Sequence, residues 1–282
     1  DVKQRLNLGY CLRWFHDKEN TGFEKHTIII DHDLLFIDYV TDQTSILYGS
    51  PGGFGVTSFP STTNRAINNF FEGYLPQENV RFRSTPFSMK KSLEMTDEVA
   101  LNFDIPKGEM TKGTFNLKII GGLTNQITVI LGENGTGKTT FFDFLLSKLD
   151  IVASHKPQEL DIDKYKSSKI YPTVSQFMEM QIGSKYYDVD FQSEIVKPLD
   201  INRLLDHQLN ALSGGELQRV FIVSTLGKSA DIYLLDEPSA YLDIEQRAKL
   251  TLILRRFFAN HKCIGFVIEH DLMMAISIAM GG

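Results

Sequence analysis

ITVILGENGTGKTTFFDFLL, residues 127 to 146, reads as three pieces of local structure in a row. Ile127 to Leu131 is a β-branched, apolar run suited to a buried strand. Gly132, Glu133, Asn134, Gly135, Thr136, Gly137, Lys138 and Thr139 follow, and an apolar stretch of helical length closes the segment. Glycines at this spacing let successive backbone N–H groups converge on an anion where side chains would block the approach. The start of the following helix adds a partial positive charge. Strand, loop and helix in this order make a phosphate-binding loop. Lys138 is then expected to reach the β- and γ-phosphates of a nucleotide, and the Thr139 hydroxyl to ligate Mg2+.

Two further stretches gain meaning from that loop. IYLLDEP, residues 232 to 238, is an apolar run ending in two carboxylates. As a buried strand it delivers Asp236 to a metal at its C-terminal end, and places Glu237 to polarise a water attacking the γ-phosphate. LSGGELQR, residues 212 to 219, predicts a helix capped by Ser213. Gly214 and Gly215 leave backbone N–H groups at that helix start open to a second phosphate.

Composition narrows the class. A chain of 282 residues with 42% apolar side chains is long enough to bury a core and to hold more than one domain. The formal net charge of −6 gives no general electrostatic case for nucleic acid. Local cations do gather at Arg81, Arg83, Lys90, Lys91, Lys107 and Lys112. Cys11 and Cys263 lack metal-type spacing, and both are expected as buried, reduced thiols of a cytosolic protein. No apolar run approaches the ~20 residues needed to span a bilayer, and the N-terminus does not read as a signal peptide. His16, His26, His155, His207 and His261 are expected on the surface or in loops.

An internal repeat orders the rest. DVKQRLNLGYCLRWF begins at Asp1 and HTIIIDHDLLFIDYV follows from His26; DIEQRAKLTLILRRF begins at Asp243 and CIGFVIEHDLMMAIS follows from Cys263. Each copy reads as an amphipathic helix, a short apolar strand, an acid-His-Asp triplet and another helix. Asp1 to His32 spans 31 residues and Asp243 to His270 spans 27, so the copies differ by a four-residue loop insertion. The second copy is preceded by LLDEPSAYLD and the first by nothing, so the chain is expected to start inside one domain and to hold most of a second. Between the copies, YGSPGGFG (48–55) predicts a turn after the strand QTSILYG. STTNRAINNFFEGYLP then predicts a capped helix ending at Gly73. RFRSTPFSMKKS is the expected linker. The boundaries are then 1–83 for the end of the first domain, 84–95 for the hinge, and 96–282 for the second domain. A helical subdomain is expected at about 159–211, including KYKSSKIYPTVSQFMEMQIG with its aromatics and methionines in the core.

Taken in order, GENGTGKTT, KPQ, LSGGELQR, IYLLDEP, SAYLD and EHD resemble the nucleotide-binding domains of the ABC ATPase superfamily. The wording KPQ, LSGGELQRV, LGKSADIYLLDEPSAYLDIEQR and IEHD is similar to subfamily E, the ribosome-recycling ATPases also called RNase L inhibitors. LYGSPGGFGV and GYLPQENVRFR resemble the segment that joins the two ATPase domains in that subfamily. The fold class implied is a P-loop ABC-type α/β ATPase domain, a mixed-sheet core with a helical subdomain, preceded by the C-terminal part of a first such domain.

The resemblance implies roles residue by residue. Asn134, Gly135, Thr136, Gly137, Lys138, Thr139 and Thr140 would wrap the triphosphate of ATP. Gln158 would sense the γ-phosphate and Mg2+, Asp236 would support Mg2+, Glu237 would act on the attacking water, and His270 would be the γ-phosphate switch. Ser213, Gly214, Gly215 and Glu216 would face the ATP held by the first domain, together with His32. This chain alone is therefore expected to bind ATP and hydrolyse it poorly. The partners implied are the small ribosomal subunit, a release-factor-like protein and, through the hinge cations Arg81, Arg83, Lys90 and Lys91, ribosomal RNA; no membrane is implied, and a cytoplasmic ATPase is expected. The alternative reading is the nucleotide-binding subunit of an ABC transporter.

Departures are few. The family's iron–sulfur domain has no cysteine cluster to hold it here, so no such cluster is expected. The first triplet reads DHD, and Ile105 stands where an adenine-stacking tyrosine is expected, with Phe103 a possible substitute. The second copy runs from IAM to GG, so its last strand is not expected.

Overall fold

The computed structural model describes residues 2–16, 26–31, 33–50, 53–83, 86, 102–148, 152–166, 170–261 and 263–279. The chain divides into two compact units, Asp1–Lys90 and Lys91–Gly282. Of the expected linker RFRSTPFSMKKS, Arg81, Phe82, Arg83 and Pro86 are described, Arg81 closing a strand rather than a loop; the rest lies outside the described residues, as does His32.

The first unit runs α1 (Val2–His16), α2 (Leu34–Val40), β1 (Gln43–Thr44), β2 (Leu47–Ser50), β3 (Phe54–Thr57), β4 (Ser61–Thr62), α3 (Thr63–Glu72), β5 (Tyr74–Leu75) and β6 (Val80–Arg81). Its strands pair as short antiparallel ladders, β1 with β4, β2 with β3 and β5 with β6. α3 follows its sequence reading, entered at Thr62 and closed by Gly73 in the left-handed region at φ 69°. A small cluster of Ile46, Ala66 and Leu75, flanked by Tyr48, Phe70 and Phe82, holds the unit together.

Two expectations fail in this unit. The segment 26–31 forms no strand, and Ile28 and Ile30 are 92% and 91% exposed. A β-branched run becomes a strand only where a neighbour takes its backbone hydrogen bonds, and among the described residues none pairs with its backbone, although His16 Nε2 lies 2.6 Å from Thr27 Oγ1. Cys11 is exposed rather than buried, since α1 turns Leu6, Leu8, Tyr10, Trp14 and Phe15 outward as well.

The second unit is built on a parallel sheet in the order β11 (Ile127–Ile130), β14 (Ile264–Ile268), β13 (Ile232–Asp236), β12 (Ala153–Lys156). All residues of β13 and β14 are buried, as a parallel sheet covered on both faces requires. On one face Ile232, Leu234, Phe266 and Ile268 pack with Phe142, Phe144 and Leu145 of α4 (Lys138–Lys148). On the other, Tyr233, Leu235 and Val267 meet α6 (Gly214–Leu226), α7 (Ile244–Asn260) and α8 (Leu272–Ala279). Antiparallel pairs of β7 (Asn102–Ile105) with β10 (Gly122–Asn125) and of β8 (Gly108–Lys112) with β9 (Phe115–Ile119) complete the mixed architecture.

Within 159–211 the described residues are helical turns around α5 (Val174–Ile182), whose start carries a capping box between Thr173 and Gln176. Phe177 and Met178 are fully buried, and Phe177 packs edge-on against Tyr165 at 4.9 Å. Met180 departs from the expectation and is exposed, because it falls on the outer face of the helix.

The thiols allow a simple check. Cys263 is 5% exposed, and burial pushes its pKa up to about 12. A thiol reagent at pH 8 should therefore label Cys11 alone in the folded chain, and both cysteines in denaturant. Mass spectrometry of the labelled peptides reads the result; rapid native labelling of Cys263 would contradict this packing.

Candidate functional site

Strand register explains why motifs far apart in sequence meet. Lys156 lies opposite Leu235, Asp236 opposite Ile268, and Ile130 opposite Ile268, so four parallel strands end at one level. The loops leaving those ends are GENGTG, PQ, EPSA and EHD, and the C-terminal edge of a parallel sheet is where such folds hold ligands. They surround a cavity of about 450 Å3. Asn134, Gly135, Gly137, Lys138, Thr139 and Thr140 line one side, and Gln158, Asp236, Glu237 and His270 the other.

The phosphate loop has the backbone its glycines allow. Gly135 and Gly137 sit at φ 79° and 94°, and a Cβ at Gly137 would come 2.8 Å from the Phe115 ring. Lys138 Nζ donates to the carbonyls of Gly132 and Glu133, each at 2.8 Å. Burial lowers the Lys138 pKa, while Glu237 and Asp236 pull against that shift.

Across from the loop, Thr139 Oγ1 donates to Asp236 Oδ2 at 2.9 Å. Asp236 is 1% exposed, and burial raises its pKa against the opposing Thr139 hydrogen bond. The Glu237 carboxylate accepts from Gln158 Nε2 at 2.9 Å and lies 2.9 Å from His270 Nε2. Burial lowers the His270 pKa below its usual value, with Glu237 opposing, so at pH 7 the ring is neutral and Nε2–H is the donor this contact needs. The Thr139 hydroxyl, the Asp236 carboxylate and the Gln158 amide line one cavity and carry hard oxygen donors of the kind Mg2+ takes alongside phosphate. Among the described residues there is no cluster of three His, Cys, Asp or Glu side chains able to hold a metal alone.

Glu237 occupies a strained turn, with φ at 47°. The surroundings hold it there: Gln218 Nε2 donates to its carbonyl at 2.7 Å, Lys156 Nζ donates to the carbonyls of Asp236 at 2.7 Å and Glu237 at 3.3 Å, and its own N–H reaches Ile268 O at 3.0 Å. Lys156 is fully buried, and burial lowers its pKa to about 8. Neither Lys156 nor Gln218 was expected at the site from sequence. Lys156 ends a largely polar strand, Ala153–Lys156, so no local signal marks it for burial.

Ser213 caps α6 through a box with Glu216, whose pKa is lowered by the Ser213 N–H. Gly214 and Gly215 form the first helical turn, and a Cβ at Gly215 would come 2.8 Å from Tyr241 O. None of Ser213, Gly214, Gly215 and Glu216 lines the cavity of this unit. Phe115 and Lys112, from the β8–β9 hairpin, do line it and were not anticipated. Phe103 is partly buried and packs edge-on against Phe266 at 5.8 Å. His155 also departs from its expected surface position: its ring meets Phe142 edge-on at 5.8 Å, and burial lowers its pKa. Of the hinge cations, Arg83 is used internally, donating to Phe70 O at 2.8 Å with its guanidinium 4.9 Å over the Phe70 ring. Arg81 is exposed and stacks 5.4 Å over Tyr74, while Lys90 and Lys91 lie outside the described residues.

Comparison with known proteins assigns the family. The ABC transporter family model matches residues 123–240. The chain is 42% identical over 178 residues to ABC transporter E family member 3 of Arabidopsis thaliana, covering 96% of that protein and 57% of this chain. The chain belongs to the ABC transporter E family. It is also 39% identical over 284 residues to translation initiation factor rli1 of Schizosaccharomyces pombe, across 99% of this chain and 46% of that relative. Among solved structures, the archaeal ribosome recycling factor aABCE1, in complex with ribosomal stalk protein aP1, superposes with a TM-score of 0.84 at 35% identity over 99% of this chain and 54% of that one. A model of ribosome-bound archaeal Pelota and ABCE1 superposes with the same TM-score and identity, over 97% of this chain and 46% of that one. The chain thus spans about half the length of the curated E-family relatives it matches first. Its parallel sheet, phosphate loop and helical segment are the ABC ATPase fold of that family. Among the described residues, no helix is long and apolar enough to cross a membrane.

Proposed function

We propose that the chain binds Mg2+ and ATP in the cavity of its second unit and hydrolyses the ATP, as part of a tandem E-family protein that separates ribosomal subunits. The observation that carries the chemistry is the Glu237 carboxylate, held by Gln158 and His270 beside the Thr139–Asp236 pair. Lys138, Gly135 and Gly137 present donors to phosphate oxygens, with Asn134, Thr136 and Thr140 completing the wrap. Thr139, Asp236 and Gln158 would hold Mg2+, which when bound offsets charge on the phosphate oxygens. Glu237 takes the proton from the attacking water. His270, neutral and donating through Nε2, holds that carboxylate and reports the γ-phosphate.

Ser213, Gly214, Gly215 and Glu216 stand apart from this cavity, in line with service to an ATP held by another domain, with His32 its switch. Turnover by this chain alone is then slow. The mechanical output is closure on ATP and reopening on hydrolysis. The partners are the small ribosomal subunit and a release-factor-like protein, in the cytoplasm. Recycling and Pelota are named for the neighbouring structures, and they support this choice within the family. For ribosomal RNA, Arg81 is the described hinge cation left on the surface, and Arg83 is already committed internally.

Co-sedimentation with purified small ribosomal subunits tests this reading. Pelleting should require ATP or a non-hydrolysable analogue and be trapped by Glu237→Gln. Its absence at every salt concentration, with ATP binding demonstrated, would refute the ribosomal assignment.

A further inference from the structure

We infer that Arg247 and Glu269 are positioning residues that brace the loop Ser239–Leu242 against the His270 switch, so that the two move as one body. The inference rests on the site proposed above and adds a means of holding it. Glu269 is 1% exposed and receives donors from both sides of the brace: Ser239 N at 3.0 Å and Ser239 Oγ at 2.8 Å from the loop, and the N–H groups of His270 at 3.2 Å and Asp271 at 3.5 Å from the switch. Arg247, the arginine of DIEQR, closes the other end. Its Nε donates to Leu242 O at 2.9 Å and its Nη1 to Asp271 Oδ2 at 2.5 Å. Asp271 in turn caps α8 by accepting from Met274 N at 2.9 Å. His270 thus sits between two residues that are each tied to the same loop.

The loop needs such holding. Glu237 at its entrance and Tyr241 within it both adopt left-handed backbone, with φ 47° and 62°. Non-glycine residues remain in that region only where surrounding contacts over-determine them. A buried carboxylate that accepts from both segments, and a bidentate-capable guanidinium at the far end, supply that constraint.

The first copy repeats the switch half of the device. Arg5 of DVKQR donates to Asp33 Oδ2 of DHD at 2.7 Å, and Asp33 caps α2 by accepting from Leu35 and Phe36 N–H groups. The acid of that triplet, Asp31, accepts from Asp33 N at 2.8 Å, as Glu269 accepts from Asp271 N. The two sequence signatures that define the repeat, DxxQR and acid-His-Asp, are therefore the two halves of one contact. In both the DHD and the EHD triplet the first acid accepts from the N–H two residues on.

The test is a spectroscopic one on the full chain. The His270 imidazole resonance, assigned by its loss in His270→Asn, should shift in Arg247→Ala and return most of the way in Arg247→Lys. Ser239→Ala, which removes only the hydroxyl donor to Glu269, should move it in the same direction and by less. Phosphate release should fall roughly ten- to a hundredfold in kcat with KM nearly unchanged, the mark of a displaced reacting group rather than lost binding. Thermal melts establish that each variant is folded. An unchanged His270 resonance in folded Arg247→Ala would overturn the brace. A shifted resonance in a chain whose single-turnover rate is unchanged by Glu237→Gln would sustain the brace and overturn the hydrolytic reading instead.

Discussion

Replacing Glu237 by glutamine should lower single-turnover ATP hydrolysis by about 10^2- to 10^4-fold while leaving ATP binding intact. The carboxylate is the one acid at the cavity aimed by two side chains, Gln158 Nε2 and His270 Nε2, each at 2.9 Å. Glutamine keeps the size and an acceptor oxygen but cannot take a proton from water at neutral pH. The backbone that sets its direction is held through main-chain atoms by Gln218, Lys156 and Ile268, so the substitution leaves the turn in place. Phosphate release after mixing excess protein with labelled ATP, and nucleotide titration in parallel, separate the two effects. Single-turnover conditions keep even a slow enzyme measurable. A variant that retained more than a tenth of the rate would remove Glu237 from the chemistry.

The largest stability effect is expected at Phe266, where alanine should cost about 3–5 kcal/mol. Phe266 is fully buried on the central strand β14, between β11 and β13. Its ring meets Phe103 at 5.8 Å and Phe141 at 6.1 Å, both edge-on, so truncation leaves a cavity between the sheet and α4 that neither neighbour can fill without leaving its own packing. Urea unfolding of the second unit, followed by its tyrosine and circular dichroism signals, measures the loss. A change below 1 kcal/mol would mean that this layer is not packed as described.

What could be read from sequence divides along a physical line. The phosphate loop, the DEP strand and the Ser213 cap were legible because each is decided by neighbours within a few residues: glycine spacing, an apolar run, an N-cap hydroxyl followed by Glu216. Lys156 was not, because its burial depends on β12 pairing with β13, a contact about eighty residues away in sequence. Gln218 escaped for a similar reason, being one polar residue in a helix whose other face is core. Phe115 and Lys112 reach the cavity only through the hairpin of β8 and β9, whereas Phe103, closer to the expected adenine position in sequence, packs against Phe266. The segment at 27–31 shows the opposite failure. The strand expected there does not form, because propensity does not supply a hydrogen-bonding partner.

That same segment has a consequence for the chain at high concentration that follows from its exposure. Thr27–Ile28–Ile29–Ile30 is β-branched throughout, and two of its isoleucines stand open to solvent. An exposed run of this composition, with no backbone pairing partner among the described residues, is a candidate for strand pairing between molecules. Self-association is therefore expected to set the solubility ceiling of the chain, and a single lysine in place of Ile28 to raise it without touching the nucleotide cavity.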